Sequence, residues 1–266
     1  MRADLALVER GLARSRNQAS ALIESKRALV DGKEVRKSSQ EISDDASLIV
    51  LPAIDYVSRA GHKLAVALDE FGLEVRDKTC LDVGASTGGF TDVLLRRGAK
   101  EVVAIDVGRD QMVADLKDNP KVRNFEGINA RELSSESFKE LVGDQLVIDV
   151  VVADLSFISL TLVLEQLLDV APNADFILLV KPQFEVGKDS LHASGVVNSH
   201  VLRADSIRRV IDCANSLGCG VRGLVKSTLP GTHGNIEYLV WISPREPLNS
   251  GKWSDRIDSI AREASK

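Results

Sequence analysis

The sequence predicts an α/β protein, a Rossmann-like domain with a seven-stranded, mostly parallel sheet, preceded by a small α+β module. Three observations carry this. Residues 78–108 read as a strand (Thr79 to Val83), a glycine-rich turn (Gly84 to Gly89), a helix (Phe90 to Arg97) and a second strand (Glu101 to Ile105) ending in Asp106. The runs LVIDVVVA (146–153) and FILLV (176–180) are too continuously apolar for half-exposed strands, so they belong in the middle of a parallel sheet covered on both faces. The first 51 residues hold two short amphipathic helices and then short strands, a pattern that does not recur downstream.

From Asp4 to Leu12, Leu5, Val8 and Leu12 recur at helical spacing, and Gly11 stops the helix. Ser15 caps a second helix with the apolar stripe Ala19, Leu22 and Ile23. A strand at Ala28 to Val30, a turn at Asp31-Gly32 and a strand ending near Ile49 to Leu51 complete the module. Basic residues gather at the turn between the helices and beyond, among them Arg14, Arg16 and Lys37. The pattern L-x-x-x-G-L-A-x-S-R-x-x-A-x-x-L-I followed by V-D-G-K resembles the S4-type RNA-binding domain. That resemblance implies that Arg14, Arg16 and Lys37 face RNA phosphates. Where such domains usually carry a glycine after the second helix, this chain has Glu24-Ser25-Lys26-Arg27.

We expect an RNA-binding module at residues 1–52, a linker at 53–58 and a catalytic domain at 59–266. Ser58 is positioned as the N-cap of a helix carrying Lys63, Leu64, Ala67, Leu68 and Phe71. A lysine in the first turns of a helix opposes the helix dipole, which hints at use. After the opening βαβ unit come strands at Val122 to Phe125, Leu146 to Ala153 and Phe176 to Val180. A helix near Leu160 to Val170 and another near Arg203 to Leu217 follow the last two, and strands at Val221 to Val225 and Glu237 to Ile242 close the sheet.

The glycine turn lets backbone approach a ligand, and Asp106, 18 residues past Gly88, has the spacing of a carboxylate that grips a ribose. The glycines are not G-x-G-x-x-G, and Asp82 at the end of the first strand would repel a pyrophosphate. A cationic ribose-bearing ligand, S-adenosylmethionine, suits the turn better. A dinucleotide site and a purely structural turn are the alternatives at this point.

At the carboxyl edge of the sheet Asp154 and Lys181 follow adjacent predicted strands. Asp154-Leu155-Ser156-Phe157 is not the Pro-Pro-aromatic motif of exocyclic-amine methylation, and no cysteine is placed to activate a pyrimidine carbon. A hydroxyl acceptor remains, and it needs a base. A lysine serves only if burial or a second cation, such as Lys63, lowers its pKa, whereas Asp154 and Glu237 oppose that shift while orienting the amines.

Lys63, Asp154, Lys181 and Glu237 match in order the tetrad of the FtsJ-like RNA 2′-O-methyltransferases. The segments SRAGHKL, LDVGASTGGFTDVLL, VVADLSFISL, LVKPQFEVGK and GNIEYLVW resemble the TlyA family, rRNA cytidine-2′-O-methyltransferases also known as haemolysin A. The resemblance spans nearly the whole chain. It implies Lys181 as the central catalytic lysine, Asp154 and Glu237 as its partners, and Lys63 at the acceptor ribose. It also implies a cofactor pocket of Gly84, Ser86, Gly88, Phe90, Asp106 and Val107, to which the turn itself adds Asp82 and Gly89. Lys188, in the loop after Gln183, is a further candidate RNA contact. Family members modify both ribosomal subunits or the large subunit alone, and the long tail to Lys266 points to the first group.

Composition bounds the rest. Residues 1–63 carry 11 Lys+Arg against 9 Asp+Glu, while the remainder carries 23 against 30, so phosphate contacts concentrate at the N-terminal end. Cys80, Cys213 and Cys219 form no disulfide framework, implying a reducing cytoplasm, and His62, His192, His200 and His233 lack metal-ligand spacing. No segment offers 18 uncharged apolar residues, which disfavours the rival reading of a membrane-active haemolysin. A second rival is a ribosome assembly factor that binds RNA without turnover, which would have no use for Lys181.

Overall fold

The computed structural model describes residues 1–24, 26–51, 56–187, 195–231 and 233–263. The N-terminal module comprises α1 (Ala3–Glu9), α2 (Arg16–Glu24) and a three-stranded antiparallel sheet of β1 (Ala28–Val30), β2 (Lys33–Glu34) and β3 (Leu48–Val50), in the order β2-β1-β3. Ser15 Oγ accepts from the Gln18 amide at 3.3 Å, the expected N-cap of α2. Ala6, Leu7, Ala19, Leu22, Ile23, Ala28 and Leu48 close a small core of their own. Lys26, where related domains usually turn on glycine, sits at φ 58°, left-handed despite its side chain.

The second domain opens with α3 (Arg59–Phe71), which Gly72 ends at φ 63°. Then follow β4 (Thr79–Val83), α4 (Gly89–Arg96), β5 (Glu101–Asp106), α5 (Ala114–Lys117), β6 (Val122–Glu126), α6 (Ser135–Val142), β7 (Val150–Ala153), α7 (Leu164–Val170), β8 (Asp175–Val180), α8 (Pro182–Glu185), α9 (His200–Ser216), β9 (Gly220–Lys226), β10 (Tyr238–Ser243) and α10 (Ser254–Arg262). The strands form one seven-stranded sheet, β6-β5-β4-β7-β8-β10-β9, parallel except for β10, which runs antiparallel to both β8 and β9.

Period-two alternation explains both faces. Phe176, Leu178 and Val180 of β8 join Val151 and Ala153 of β7 in a core with α6, α7, α9 and α10, while Ile177, Leu179, Val150 and Val152 point into a second core with α3 and α4. Strand β7 starts at Val150 rather than Leu146, because Val147 is exposed and Asp149 turns its carboxylate to the Thr79 amide at 2.9 Å. Ser58 makes no side-chain cap on α3. It is extended at φ −152° and its Oγ fills the space beside Gly89.

Module and domain meet along a short seam. Leu29 and Leu51 pack with Leu229, the Arg59 guanidinium donates to the Gly32 carbonyl, and Gly32 (φ 76°) lies so close to Gly231 that a Cβ there would come 2.7 Å from the Gly231 oxygen.

Candidate active site

The site is built where strand ends converge. β7 pairs with β4 so that Val83 lies opposite Ala153, and the Asp154 amide donates to the Val83 carbonyl at 3.0 Å. The first residues beyond the two strands, Gly84 and Asp154, are therefore in contact, and a Cβ on Gly84 (φ 85°) would come 2.7 Å from the Asp154 carbonyl oxygen. On the other side Tyr238 of β10 lies opposite Val180 of β8. Because that pair is antiparallel, the residue before one strand meets the residue after the other, and Glu237 arrives beside Lys181.

These residues surround a cavity of about 270 Å³ lined by Lys63, Asp154, Ser156, Lys181, Gly231 and Glu237 together with Gly84, Ser86, Thr87, Gly89 and Phe90. A larger groove, about 630 Å³, lies along the seam between module and domain, and none of the four tetrad residues lines it. All four tetrad residues line the smaller cavity.

The tetrad resolves into two ion pairs. Lys181 Nζ lies 2.6 Å from Asp154 Oδ1, off the hydrogen-bonding direction, and donates to Ser156 Oγ at 2.9 Å. Its ammonium also stands 5.8 Å from the centroid of the Phe184 ring. Lys63 Nζ donates to Glu237 Oε2 at 2.5 Å, and Gln183 Nε2 reaches the other oxygen at 3.5 Å. The sequence resemblance pairs Lys181 with both acids, whereas in the structure Glu237 belongs to Lys63. Gly231 backs Glu237 so tightly that any side chain there would meet Oε1.

The cofactor candidates divide by position. Gly84, Ser86, Gly89 and Phe90 line the cavity. Gly88, at φ 97°, packs against Leu116, so its missing Cβ makes room for protein. Asp106 accepts from the Ser86 amide at 2.8 Å and the Gly108 amide at 2.6 Å, and Val107 beside it is exposed. Asp82 is fully buried beneath the turn. Thr91 Oγ1 donates to its Oδ2 at 2.6 Å, and among the described residues Oδ1 has no hydrogen-bond partner. Burial raises the Asp82 pKa to about 7, and the charges of Asp154 and Asp106 push the same way. The carboxylates of Asp106 and Asp154 at the sheet's carboxyl edge suit a positively charged ligand and oppose a pyrophosphate, which fits S-adenosylmethionine better than a dinucleotide.

Of the RNA-contact candidates, Arg14 and Lys37 are exposed, while Arg16 donates to the buried Asp4 at 2.9 and 3.2 Å. Arg2 shares that carboxylate, and the two cations hold the Asp4 pKa down at about 2. Lys188 lies outside the described residues. Sequence reasoning passed over Ser156, which it used only to exclude another chemistry, and Phe157, which stands at φ 66° and is 91% exposed beside Phe184, ring centroids 5.2 Å apart. It also passed over Glu185, which accepts from Ser159 Oγ and the Leu160 amide at 2.5 and 2.9 Å and so ties the segment after Lys181 to the segment after Asp154. Among the described residues no group of three His, Cys, Asp or Glu could hold a metal ion, and no helix is long and apolar enough to cross a membrane.

Comparison with known proteins agrees with this arrangement. Residues 56–243 match the model of the FtsJ-like methyltransferases and residues 1–47 that of the S4 domain. The chain is 47% identical over 244 residues to a Mycobacterium tuberculosis protein named 16S/23S rRNA (cytidine-2′-O)-methyltransferase TlyA, covering 91% of this chain and 89% of the relative. The chain belongs to the TlyA family of FtsJ-like methyltransferases. Hemolysin A from Brachyspira hyodysenteriae is 37% identical over 242 residues, covering 90% of this TlyA-family chain and 98% of the relative. A solved structure described as a hemolysin from Streptococcus thermophilus superposes with a TM-score of 0.75 at 34% identity, covering 98% of this chain and 94% of that one. The family assignment extends across both the module and the catalytic domain.

Proposed function

We propose that this protein methylates the ribose 2′-hydroxyl of a cytidine in ribosomal RNA, with S-adenosylmethionine as donor. The observation that carries this is the pairing of Lys181 with Asp154 at 2.6 Å in a cavity that the glycine turn also lines. When bound, S-adenosylmethionine supplies an electrophilic methyl group on a sulfonium. Asp82, Gly84, Ser86, Gly88, Gly89, Phe90, Asp106 and Val107 form or support its site, the carboxylates answering its positive charge and its ribose.

Lys181 has three donor directions. Ser156 Oγ takes one and Asp154 stands beside the amine as an ion-pair partner, which leaves a donor direction for the acceptor hydroxyl. Geometry then does much of the work, because an oxygen held in line needs no further ordering as the new bond forms. The hydroxyl proton passes to the Asp154 carboxylate, since an ammonium has no lone pair with which to accept it. Lys63 and Glu237, which line the same cavity, hold the acceptor ribose. Phe157, directly after the cavity-lining Ser156, presents an exposed ring on which an unstacked base can lie.

We assign residues 1–52 to RNA binding, 53–58 to the connection and 59–266 to catalysis. The 47% identity to a relative named for both subunits supports small- and large-subunit rRNA as substrates. The test is incubation of the purified protein and S-adenosylmethionine with each ribosomal subunit, followed by mass spectrometry of the nucleosides. The expected product is 2′-O-methylcytidine. Methyl groups on bases, or none on either subunit, would overturn the proposal.

A further inference from the structure

Beside the catalytic cavity, on the outer side of the β1–β2 turn, runs a second groove of about 470 Å³. Lys33, Arg36 and Arg59 line it against a single carboxylate, Glu34. Arg59 lines the catalytic cavity as well, so the two spaces share a wall. The contact is close throughout: Gly32 abuts Gly231, Gly231 abuts the Glu237 carboxylate, and Arg59 donates to Gly32 while standing one turn of α3 before Lys63.

The module's cations are not equivalent. Arg2 and Arg16 are bound to Asp4, Arg10 donates to the carbonyls of Ala46, Ser43 and Asp44, and Arg27 donates to the Leu51 carbonyl at 2.9 Å. Lys33 and Arg36 are exposed, and among the described residues neither has an ion-pair partner. Two uncommitted cations beside a tethered arginine, next to a cavity built for a ribose, are what a nucleic-acid backbone needs.

We infer that the β1–β2 turn is part of the reaction site: Lys33 and Arg36, with Arg59, bind the RNA phosphates immediately flanking the nucleotide that receives the methyl group. This rests on the ribose-methylation reading. It assigns the module a local task, threading the substrate strand past Gly32 into the cavity, beyond any grip on RNA farther away. Because Gly231 and Arg59 also touch the elements bearing Glu237 and Lys63, strand binding at the turn and alignment of that ion pair are one event.

The experiment uses the full-length protein with S-adenosylmethionine and rRNA carrying random phosphate ethylation, comparing wild type with Lys33→Gln, Arg36→Gln and the double variant. The expected result is interference at phosphates adjacent to the methylated nucleotide, lost in the double variant. The slope of log affinity against log salt should fall by about 0.7 for each contact removed. Both side chains are exposed, so thermal unfolding and cofactor affinity should match wild type. Unchanged interference and salt slope, or variant-sensitive phosphates distant from the methylated nucleotide, would overturn the inference. If no ribose is methylated, the ethylation pattern and salt slope for bound RNA still report on the turn, so the two failures are separable.

Discussion

The two ion pairs of the site look alike and are assembled differently. Asp154 and Lys181 are the residues directly beyond β7 and β8, so the parallel sheet alone brings them together. Lys63 and Glu237 are 174 residues apart, one on α3 and one before β10, and both are backed by elements in contact with the N-terminal module. The first pair is a product of the catalytic domain, and the second is the point at which the module reaches the chemistry. On the proposed reading of the site, the tetrad divides into a chemical half and a substrate-sensing half.

The largest effect should come from the chemical half. Lys181→Ala is expected to lower methyl transfer by about 10²- to 10⁴-fold, the usual range for loss of a positioned acid or base. Calorimetric titration with S-adenosylmethionine should find the affinity nearly intact, since Lys181 engages Asp154 and Ser156 and none of the cofactor candidates.

The second effect separates the pairs by stability. Lys63 and Glu237 side chains are 10% and 2% exposed, so Glu237→Ala strands a buried ammonium and should cost about 3–5 kcal/mol in denaturant unfolding. Asp154→Ala should cost less, because Lys181 keeps Ser156 and the pair is more open to water at 11% and 16%. The double replacement Lys63→Met with Glu237→Leu should regain stability without regaining activity at subsaturating RNA. Equal costs for the two single variants would erase the distinction.

The region below both pairs gives a pH signature. Asp82 has a folded pKa of about 7 against an ordinary value of 3.8, so between those values the native state holds a proton that the unfolded chain has lost. Stability should therefore decline as pH rises from about 4 to 7 and level off above. At about 1.4 kcal/mol per pKa unit the decline is on the order of a few kcal/mol. Asp82→Asn should flatten it, as followed by thermal unfolding across pH 5 to 8. A wild-type profile already flat in that range would contradict the assignment.

Much of this was legible in the sequence, for reasons that particular residues make plain. Strand β8 was found nearly to the residue because burial on both faces demands a run of apolar residues, and β4 because the glycine-rich turn marks its end. Lys181 and Asp154 could be placed because a charge directly after such a strand must stand at the sheet edge. Helix α8 was not legible, since Pro182 reads as a stop signal and acts here as the first residue of a helix. The two-residue β2 and the short α5 carry too few residues for any period to register. Nor does any pattern announce that Gly32 will meet Gly231, because contacts across a seam leave no periodic trace. The partner of Glu237 was hidden for the same reason.

The smallest prediction concerns the module by itself. Lys26 adopts the left-handed conformation that costs a side-chain-bearing residue about 1 kcal/mol, so Lys26→Gly should stabilise the protein by somewhat less than that. Methyl transfer should follow unaltered chemistry in the variant, since Lys26 lines neither the catalytic cavity nor the basic groove.

The most direct measurement is the single-turnover rate of methyl transfer to saturating rRNA with S-adenosylmethionine already bound, comparing Lys181→Met with Lys63→Met. The account predicts that the first rate is lost, while the second recovers toward wild type as RNA is raised to saturation. Retained transfer in Lys181→Met, or an equal loss in both that no RNA concentration relieves, would contradict it.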